Sequence, residues 1–317
     1  MKILANDGIA QSAIDALTND GFEVLDVKVA QEQLINFINK NEIAVLLVRS
    51  ATKVRKDVID ACESLKIIGR GGVGMDNIDV DYARSKGIKV INTPTAATNS
   101  VAELVFGHLL SGVRYLHDAN RNMPLDGDSR FKAMKKSYAK GTELRGKTLG
   151  IIGLGRIGIA TAKIALGFGM KVIATDTVVQ KETITLDFFD GQSVNFEIET
   201  ESLESVLQKS DFISIHVPAQ SDYLIGKKEI ALMKQGAGII NASRGGVVDE
   251  VALIAALDSN KLSFAGLDVY ENEPTPAIRV LMNLYVSLTP HTGASTSEAQ
   301  ERIGLELASQ ISEILKS

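Results

Sequence analysis

Residues 148–176 read TLGIIGLGRIGIATAKIALGFGMKVIATD, and their order decides the architecture. The apolar run TLGII leads into Gly153-Leu154-Gly155-Arg156-Ile157-Gly158, a stretch with helical spacing follows, and a second apolar run, KVIATD, ends in Asp176. Gly-x-Gly-x-x-Gly is weak evidence alone. Between a strand and a helix, with a carboxylate at the end of the next strand, it is the fingerprint of a dinucleotide-binding βαβ unit. Gly153 permits the tight turn, Gly155 lets a pyrophosphate approach the backbone, and Gly158 lets helix and strand pack closely. The helix N-terminus, at Arg156 and Ile157, then turns its exposed N–H groups to the phosphates. Asp176 stands where a carboxylate accepts from the adenosine ribose and repels a 2′-phosphate, so the expected cofactor is NAD rather than NADP.

The same rhythm extends to both sides. Upstream, KILAND, FEVLDV, IAVLLVR, KIIG and KVINT read as strands separated by amphipathic helical stretches; downstream, DFISIHV, AGIINAS, FAGLDVY and YVSLTP continue the series. Such alternation predicts parallel βαβ units, and 317 residues exceed one hydrophobic core, so two α/β domains are expected. SVAELVFGHLLSGVRYLHDANR reads as one long helical pattern and STSEAQERIGLELASQISEILK as a closing helix. Residues 182–199, ETITLDFFDGQSVNFEIE, break the rhythm with strict alternation. A three-residue loop, Phe189-Asp190-Gly191, pairs Phe188 with Gln192 and Leu186 with Val194. All the apolar residues then share one face. The expectation is a hairpin with Gly191 at positive φ and an apolar face packed on the NAD domain or on a partner.

A formal net charge of -5 argues against a nucleic-acid binder. No apolar run approaches a membrane span, no signal peptide is visible, and no internal disulfide can form from one cysteine, so a cytoplasmic location is expected. That cysteine, Cys62, sits in an apolar-periodic stretch and reads as packed. The four histidines and one cysteine have no metal-ligand spacing, so no metal is expected.

NASRGGVVDEVALIAAL (241–257), GLDVYENEP (266–274), PHTGAST (290–296) and GRGGVGMDNID (69–79) resemble, in order and spacing, the signature blocks of the D-2-hydroxyacid dehydrogenases. With the glycine fingerprint the resemblance covers nearly the whole chain. It implies two doubly wound parallel-sheet domains, a Rossmann NAD domain at 98–289 inserted in a flavodoxin-like substrate domain at 1–97 plus 290–317, with substrate held in the cleft between them. It places the family's catalytic arginine on Arg244, its glutamate on Glu273 and its histidine on His291. A guanidinium at a strand's carboxyl end offers a planar fork to a 2-oxo or 2-hydroxy carboxylate. An imidazole can take the hydroxyl proton and return it, and a glutamate can hold its tautomer and favour its charged form. The resemblance also puts His216, Val217, Ala242, Ser243, Asp268, Gly293 and Ala294 near the cofactor. Val217 stands where relatives often carry a hydroxyl. His108 and His117 read as structural or interface residues.

VRSATKV (48–54) and GRGGVGMDNID resemble the phosphoglycerate dehydrogenases in particular. They imply substrate contacts from Arg49, Ser50 and Arg70, with Val73, Gly74 and neighbouring backbone N–H groups toward a carboxylate. Arg49 and Arg70 are surplus for a lactate-sized substrate and suit a phosphorylated 2-hydroxy or 2-oxo acid. Lys135 and Lys136 are weaker candidates, since in relatives a basic residue near there can reach the partner subunit's site. The segment after Ser100 resembles the family's dimerisation region, so a homodimer or homotetramer is expected, without a C-terminal regulatory domain. Two other readings remain: a hydroxypyruvate or glyoxylate reductase of the same fold, and an NADH-sensing interaction protein like the C-terminal-binding-protein corepressors.

Overall fold

The computed structural model describes residues 1–316 and forms two compact units, Met1–Ser100 with Ala294–Ser317, and Val101–Gly293. In the first, β1 (Lys2–Ala5), α1 (Gln11–Asn19), β2 (Glu23–Leu25), α2 (Leu34–Asn41), β3 (Ile43–Val48), α3 (Lys56–Ala61), β4 (Ile67–Arg70), α4 (Val80–Ser85) and β5 (Lys89–Asn92) alternate along the chain. The strands form one parallel sheet in the order β2-β1-β3-β4-β5. That is the flavodoxin-like order. Every residue of β3, IAVLLV, is buried, as a parallel strand covered on both faces requires. Val48 pairs with Arg70 at the carboxyl ends of β3 and β4, so Arg70 closes β4 and Arg49 follows β3 one register step further on. Cys62, just past α3, is buried, and burial pushes its thiol up to about 11.

The second unit follows with α5 (Thr98–Arg114), α6 (Leu116–Asp126), α7 (Phe131–Ser137), β6 (Thr148–Ile152), α8 (Arg156–Gly167), β7 (Lys171–Thr175), β8 (Lys181–Asp187), β9 (Ser193–Glu199), α9 (Leu203–Lys209), β10 (Phe212–Ile215), α10 (Lys227–Leu232), β11 (Ala237–Asn241), α11 (Glu250–Asp258), β12 (Leu262–Leu267), α12 (Ile278–Leu281) and β13 (Val286–Leu288). Its six-stranded parallel sheet runs β13-β12-β11-β10-β6-β7. Direction of growth reverses at β6, whose neighbours are β7 and β10. The crevice outside the carboxyl ends of such a pair is where open α/β sheets bind ligands. The closing helix α13 (Ser297–Lys316) returns to the first unit, where Ile303, Leu307 and Ile311 pack in one core with Ile3, Leu17 and Val45.

The helical pattern after Ser100 is not one helix. It breaks at Tyr115, which takes a left-handed φ of 57°, and restarts as α6. The break is held on both sides: Thr142 N donates to Val113 O at 2.9 Å, and His117 N donates to Ser111 Oγ at 3.2 Å. His117 Nε2 also meets Leu284 O at 2.9 Å, consistent with a structural role. Lys135 and Lys136 are exposed in the last turn of α7.

The hairpin forms in the register expected from parity. Leu186 pairs with Val194, Phe188 N donates to Gln192 O at 2.9 Å, and Gly191 has a φ of 84°. The packing is only half as expected. Ile184 and Ile198 at the base are buried in the unit's core, but Phe188 and Val194 at the tip are about half exposed and Phe189 lies open. The hairpin stands beside β7 through a bridge between Ala174 and Thr200, at its base and away from its tip.

Candidate active site

The glycine loop leaves β6 and enters α8. Gly153 has a φ of 96°, and a Cβ there would lie 2.5 Å from His216 O, so only glycine fits. A Cβ at Gly158 would meet Gly153 O at 2.1 Å. At Gly155 the same test finds no protein atom within 4 Å, and no side chain caps the first turn of α8. The loop is therefore tight at Gly153 and Gly158 and open at Gly155. That is the geometry a pyrophosphate needs.

Asp176 follows β7. Its Oδ2 accepts from Leu154 N at 2.7 Å, and its Oδ1 accepts from Val178 N at 2.8 Å and Val179 N at 3.0 Å. Burial pushes this carboxyl up, but the N–H groups of Val179, Val178, Leu154 and Thr177 outweigh it and hold it below the usual carboxylate range. It stays ionised beside the loop. His216, with Nε2 2.9 Å from Ser214 Oγ, is pushed down by burial to about 3 and stays neutral. Val217 lies beside Gly153.

Arg244, Glu273 and His291 come from three loops at the carboxyl ends of β11, β12 and β13. Arg244 sits in a turn organised by buried Asn241, whose Oδ1 accepts from Ser243 N and Oγ and whose Nδ2 donates to Arg244 O at 2.9 Å. Ala242 and Ser243 form the same turn. Gly245 lets the β12 loop lie directly on it: a Cβ there would be 1.8 Å from Tyr270 O. That loop is pinned by a reciprocal pair. Glu250 N donates to Glu271 Oε1 at 2.9 Å, and Glu271 N donates to Glu250 Oε1 at 2.8 Å. Within it, Tyr270 N donates to Glu273 Oε1 at 3.0 Å, leaving Oε2 for His291 Nδ1 at 2.8 Å. Burial pushes the Glu273 carboxyl up, but the hydrogen bond and charge of His291, the Tyr270 N–H and the Arg244 charge outweigh it and hold it below the usual range.

His291 takes a left-handed φ of 55°. A non-glycine residue pays roughly 1–2 kcal/mol for that conformation and keeps it only where its surroundings insist. Asp268, buried at the end of β12, supplies the insistence. Its Oδ1 accepts from Thr292 N at 2.7 Å and from Thr289 Oγ1 at 2.6 Å, and its Oδ2 accepts from Gly293 N at 2.8 Å. On the near side, Tyr270 OH donates to Thr289 O at 2.8 Å. Asp268, grouped by resemblance with the cofactor residues, thus has a second set of partners inside the loop, and so does Gly293. Asn241, Glu250, Tyr270 and Glu271 stand inside the quoted blocks without a role assigned to them there, and Thr289 lies just before PHTGAST.

In the first unit, Arg49 and Arg70 are half-buried, Ser50 and Val73 are exposed, and Gly74 is intermediate. The loop after β3 is held by Asp7, which accepts from Arg49 N at 2.7 Å, Thr52 N at 3.1 Å and Thr52 Oγ1 at 2.8 Å, and pairs with Lys28. Arg49, Ser50, Lys28, Asp7 and Asp26 line a hollow of about 480 Å³. The Arg70 side chain lies across Gly72, where a Cβ would meet its Nη1 at 1.8 Å. Ala294, partly buried, packs against this unit's core.

Residues 106–293 match the family model for the D-isomer specific 2-hydroxyacid dehydrogenase, NAD binding domain. The chain belongs to the D-isomer specific 2-hydroxyacid dehydrogenases. It is 43% identical to a hydroxypyruvate reductase of Thermotoga maritima, over 98% of this chain and 97% of that protein. It is 42% identical to a D-3-phosphoglycerate dehydrogenase of Methanocaldococcus jannaschii, over its whole length but only 58% of the archaeal protein. The crystal structure of the TT0316 protein from Thermus thermophilus superposes with a TM-score of 0.87 at 29% identity, covering 100% of this chain and 97% of that one. This dehydrogenase is thus NAD-dependent, and among its described residues no helix is long and apolar enough to cross a membrane and no cluster could hold a metal ion.

Cofactor choice gives a first test of the dehydrogenase. NADH should exceed NADPH in kcat/KM, and Asp176→Ser should narrow that preference while lowering Tm, since three backbone donors lose their acceptor. Equal use of both cofactors by the wild type would remove the role given to Asp176.

Proposed function

We propose that this dehydrogenase interconverts D-3-phosphoglycerate and 3-phosphohydroxypyruvate. The observation that carries the reading is the pair of half-buried guanidiniums at the carboxyl ends of neighbouring strands, Arg49 and Arg70, whose two positive charges suit a phosphate dianion. Arg244 takes the substrate carboxylate and the reacting oxygen, and Ser50, Val73 and Gly74 are the further residues assigned to substrate. His291 takes the hydroxyl proton at Nε2 during oxidation and returns it during reduction, because Nδ1 is engaged by Glu273. Nicotinamide, when bound, supplies the hydride acceptor or donor. The glycine loop, Asp176, His216, Val217, Ala242, Ser243, Asp268, Gly293 and Ala294 are the residues assigned to its binding, and a homodimer or homotetramer is the proposed assembly.

A specific observation favours a second reading, hydroxypyruvate reductase. The hollow beside Arg49 also carries the carboxylates of Asp7 and Asp26, so with Lys28 its formal charges cancel. The full-length likeness to the Thermotoga maritima hydroxypyruvate reductase points the same way.

Measuring kcat/KM for 3-phosphohydroxypyruvate and hydroxypyruvate decides between them. Charge-assisted hydrogen bonds to a phosphate should favour the phosphorylated acid by roughly ten- to a hundredfold. Arg49→Ala and Arg70→Ala should each shrink that gap. Equal use of both acids by the wild type would reject the phosphoglycerate reading and leave the reductase.

A further inference from the structure

His108 lies in α5, nearly fully buried, far along the chain from any residue assigned to the reaction. It fits there because β12 carries Gly266 opposite it, where a Cβ would sit 2.5 Å from His108 Cβ. Its two ring nitrogens are both engaged: Nδ1 is 2.9 Å from Ser287 Oγ and Nε2 is 3.0 Å from Thr289 Oγ1.

Donor counting settles the proton positions. The Thr289 hydroxyl has one hydrogen, and it donates that hydrogen to Asp268 Oδ1, since a carboxylate only accepts. Thr289 Oγ1 must therefore accept from His108, so Nε2 carries the proton. Nδ1 of the neutral ring then accepts from Ser287. Burial, opposed by the charge of Asp268 and reinforced by His117, keeps this imidazole below its usual range and hence neutral. The result is a directed chain of hydrogen bonds, Ser287 to His108 to Thr289 to Asp268, ending on the carboxylate that holds the N–H groups of Thr292 and Gly293 and so the left-handed turn at His291.

We propose that His108 is a positioning residue for His291: its Nε2–H orients the Thr289 hydroxyl onto Asp268, and that carboxylate sets the backbone from which the imidazole reaches Glu273. The proposal rests on the reading of His291 as the group that moves the substrate proton. The charged groups that face His291 are Glu273, with Arg244 acting on Glu273, and Asp268 bound to the two following amides. Those that face His108 are Asp268 and His117. A turn that drifts weakens the His291–Glu273 pair first, so the reaction should change before cofactor binding does.

The test uses the full-length enzyme, NADH, and whichever of 3-phosphohydroxypyruvate and hydroxypyruvate the wild type reduces faster. His108→Leu should lower kcat about tenfold through misplacement of the acid. NADH affinity should hold, and the pH profile of reduction should move to lower pH, in the direction of Glu273→Gln. His108→Gln, whose amide can replace the Nε2–H donor, should recover most of the rate. Thr289→Val should reproduce the loss and Thr289→Ser should not. The double variant His108→Leu/Thr289→Val should be no slower than Thr289→Val alone, because both break one chain. Additive losses, equal rates in His108→Leu and His108→Gln, or a wild-type rate and pH profile in folded His108→Leu would overturn the proposal. If His108→Leu does not fold, the Thr289 pair decides: a wild-type rate in Thr289→Val overturns it. His291→Ala measured alongside separates the two readings. A wild-type rate there removes the role of His291 and this proposal together, whereas loss there with wild-type rates in the His108 and Thr289 variants removes this proposal alone.

Discussion

Replacing His291 with alanine should lower kcat on the order of 10²–10⁴-fold while leaving NADH binding intact, as expected for loss of a general acid/base that acts on substrate. Fluorescence titration with NADH and steady-state rates on the same preparation check both halves. Glu273→Gln should be milder and should change the pH dependence. Glu273 Oε2 meets His291 Nδ1 at 2.8 Å, and His291 is among the groups that hold the Glu273 carboxyl below its usual range. Glu273→Gln removes the negative charge beside the ring's proton. Reduction, which needs that proton, should then fall off at lower pH than in the wild type. A profile that does not move would break the assigned pairing, whatever happened to the rate.

Gly245→Ala should do comparable damage without removing any reactive group. The added methyl would lie 1.8 Å from the Tyr270 carbonyl oxygen and 2.4 Å from its carbon, both backbone atoms that no side-chain rotation can clear. The β12 loop must move off the Arg244 turn, and the loop carries Glu273. Overpacking of this kind costs about 1–3 kcal/mol of stability. A displacement near 1 Å at the reacting groups costs roughly a hundredfold in rate. Thermal melting and kcat should therefore fall together, with NADH binding less affected. A variant with wild-type kcat would show that the close approach of the two loops has no bearing on the reaction.

The features legible in the sequence were those written in a local period. The glycine loop is read from six consecutive residues and its flanking strands. The hairpin register is read from the shared parity of Ile184, Leu186 and Phe188 with Val194, Phe196 and Ile198. Parity says which side chains share a face, not how far the neighbouring body extends, so the open tip at Phe188 and Val194 could not be foreseen. The break at Tyr115 was hidden for a similar reason: apolar spacing continues through it, and the left-handed turn is imposed by Ser111, Val113 and Thr142. The residues that organise the site were least legible. His108 meets partners 179 and 181 residues away, and Glu250 and Glu271 meet across a crossover, so no window of sequence contains either set. Arg244, Glu273 and His291 were reached through resemblance, and their separate loops explain why composition alone could not join them.

The burial of Cys62 bears on how the protein responds to oxidants. Thiol chemistry runs through the thiolate, and with its titration raised to about 11 that form is on the order of one part in ten thousand at neutral pH. The chain has no second cysteine with which to form an intramolecular bridge. Alkylating reagents, glutathione disulfide and peroxide therefore find almost no nucleophile to attack while the first unit stays folded, and modification of position 62 becomes a reporter of unfolding rather than of redox state.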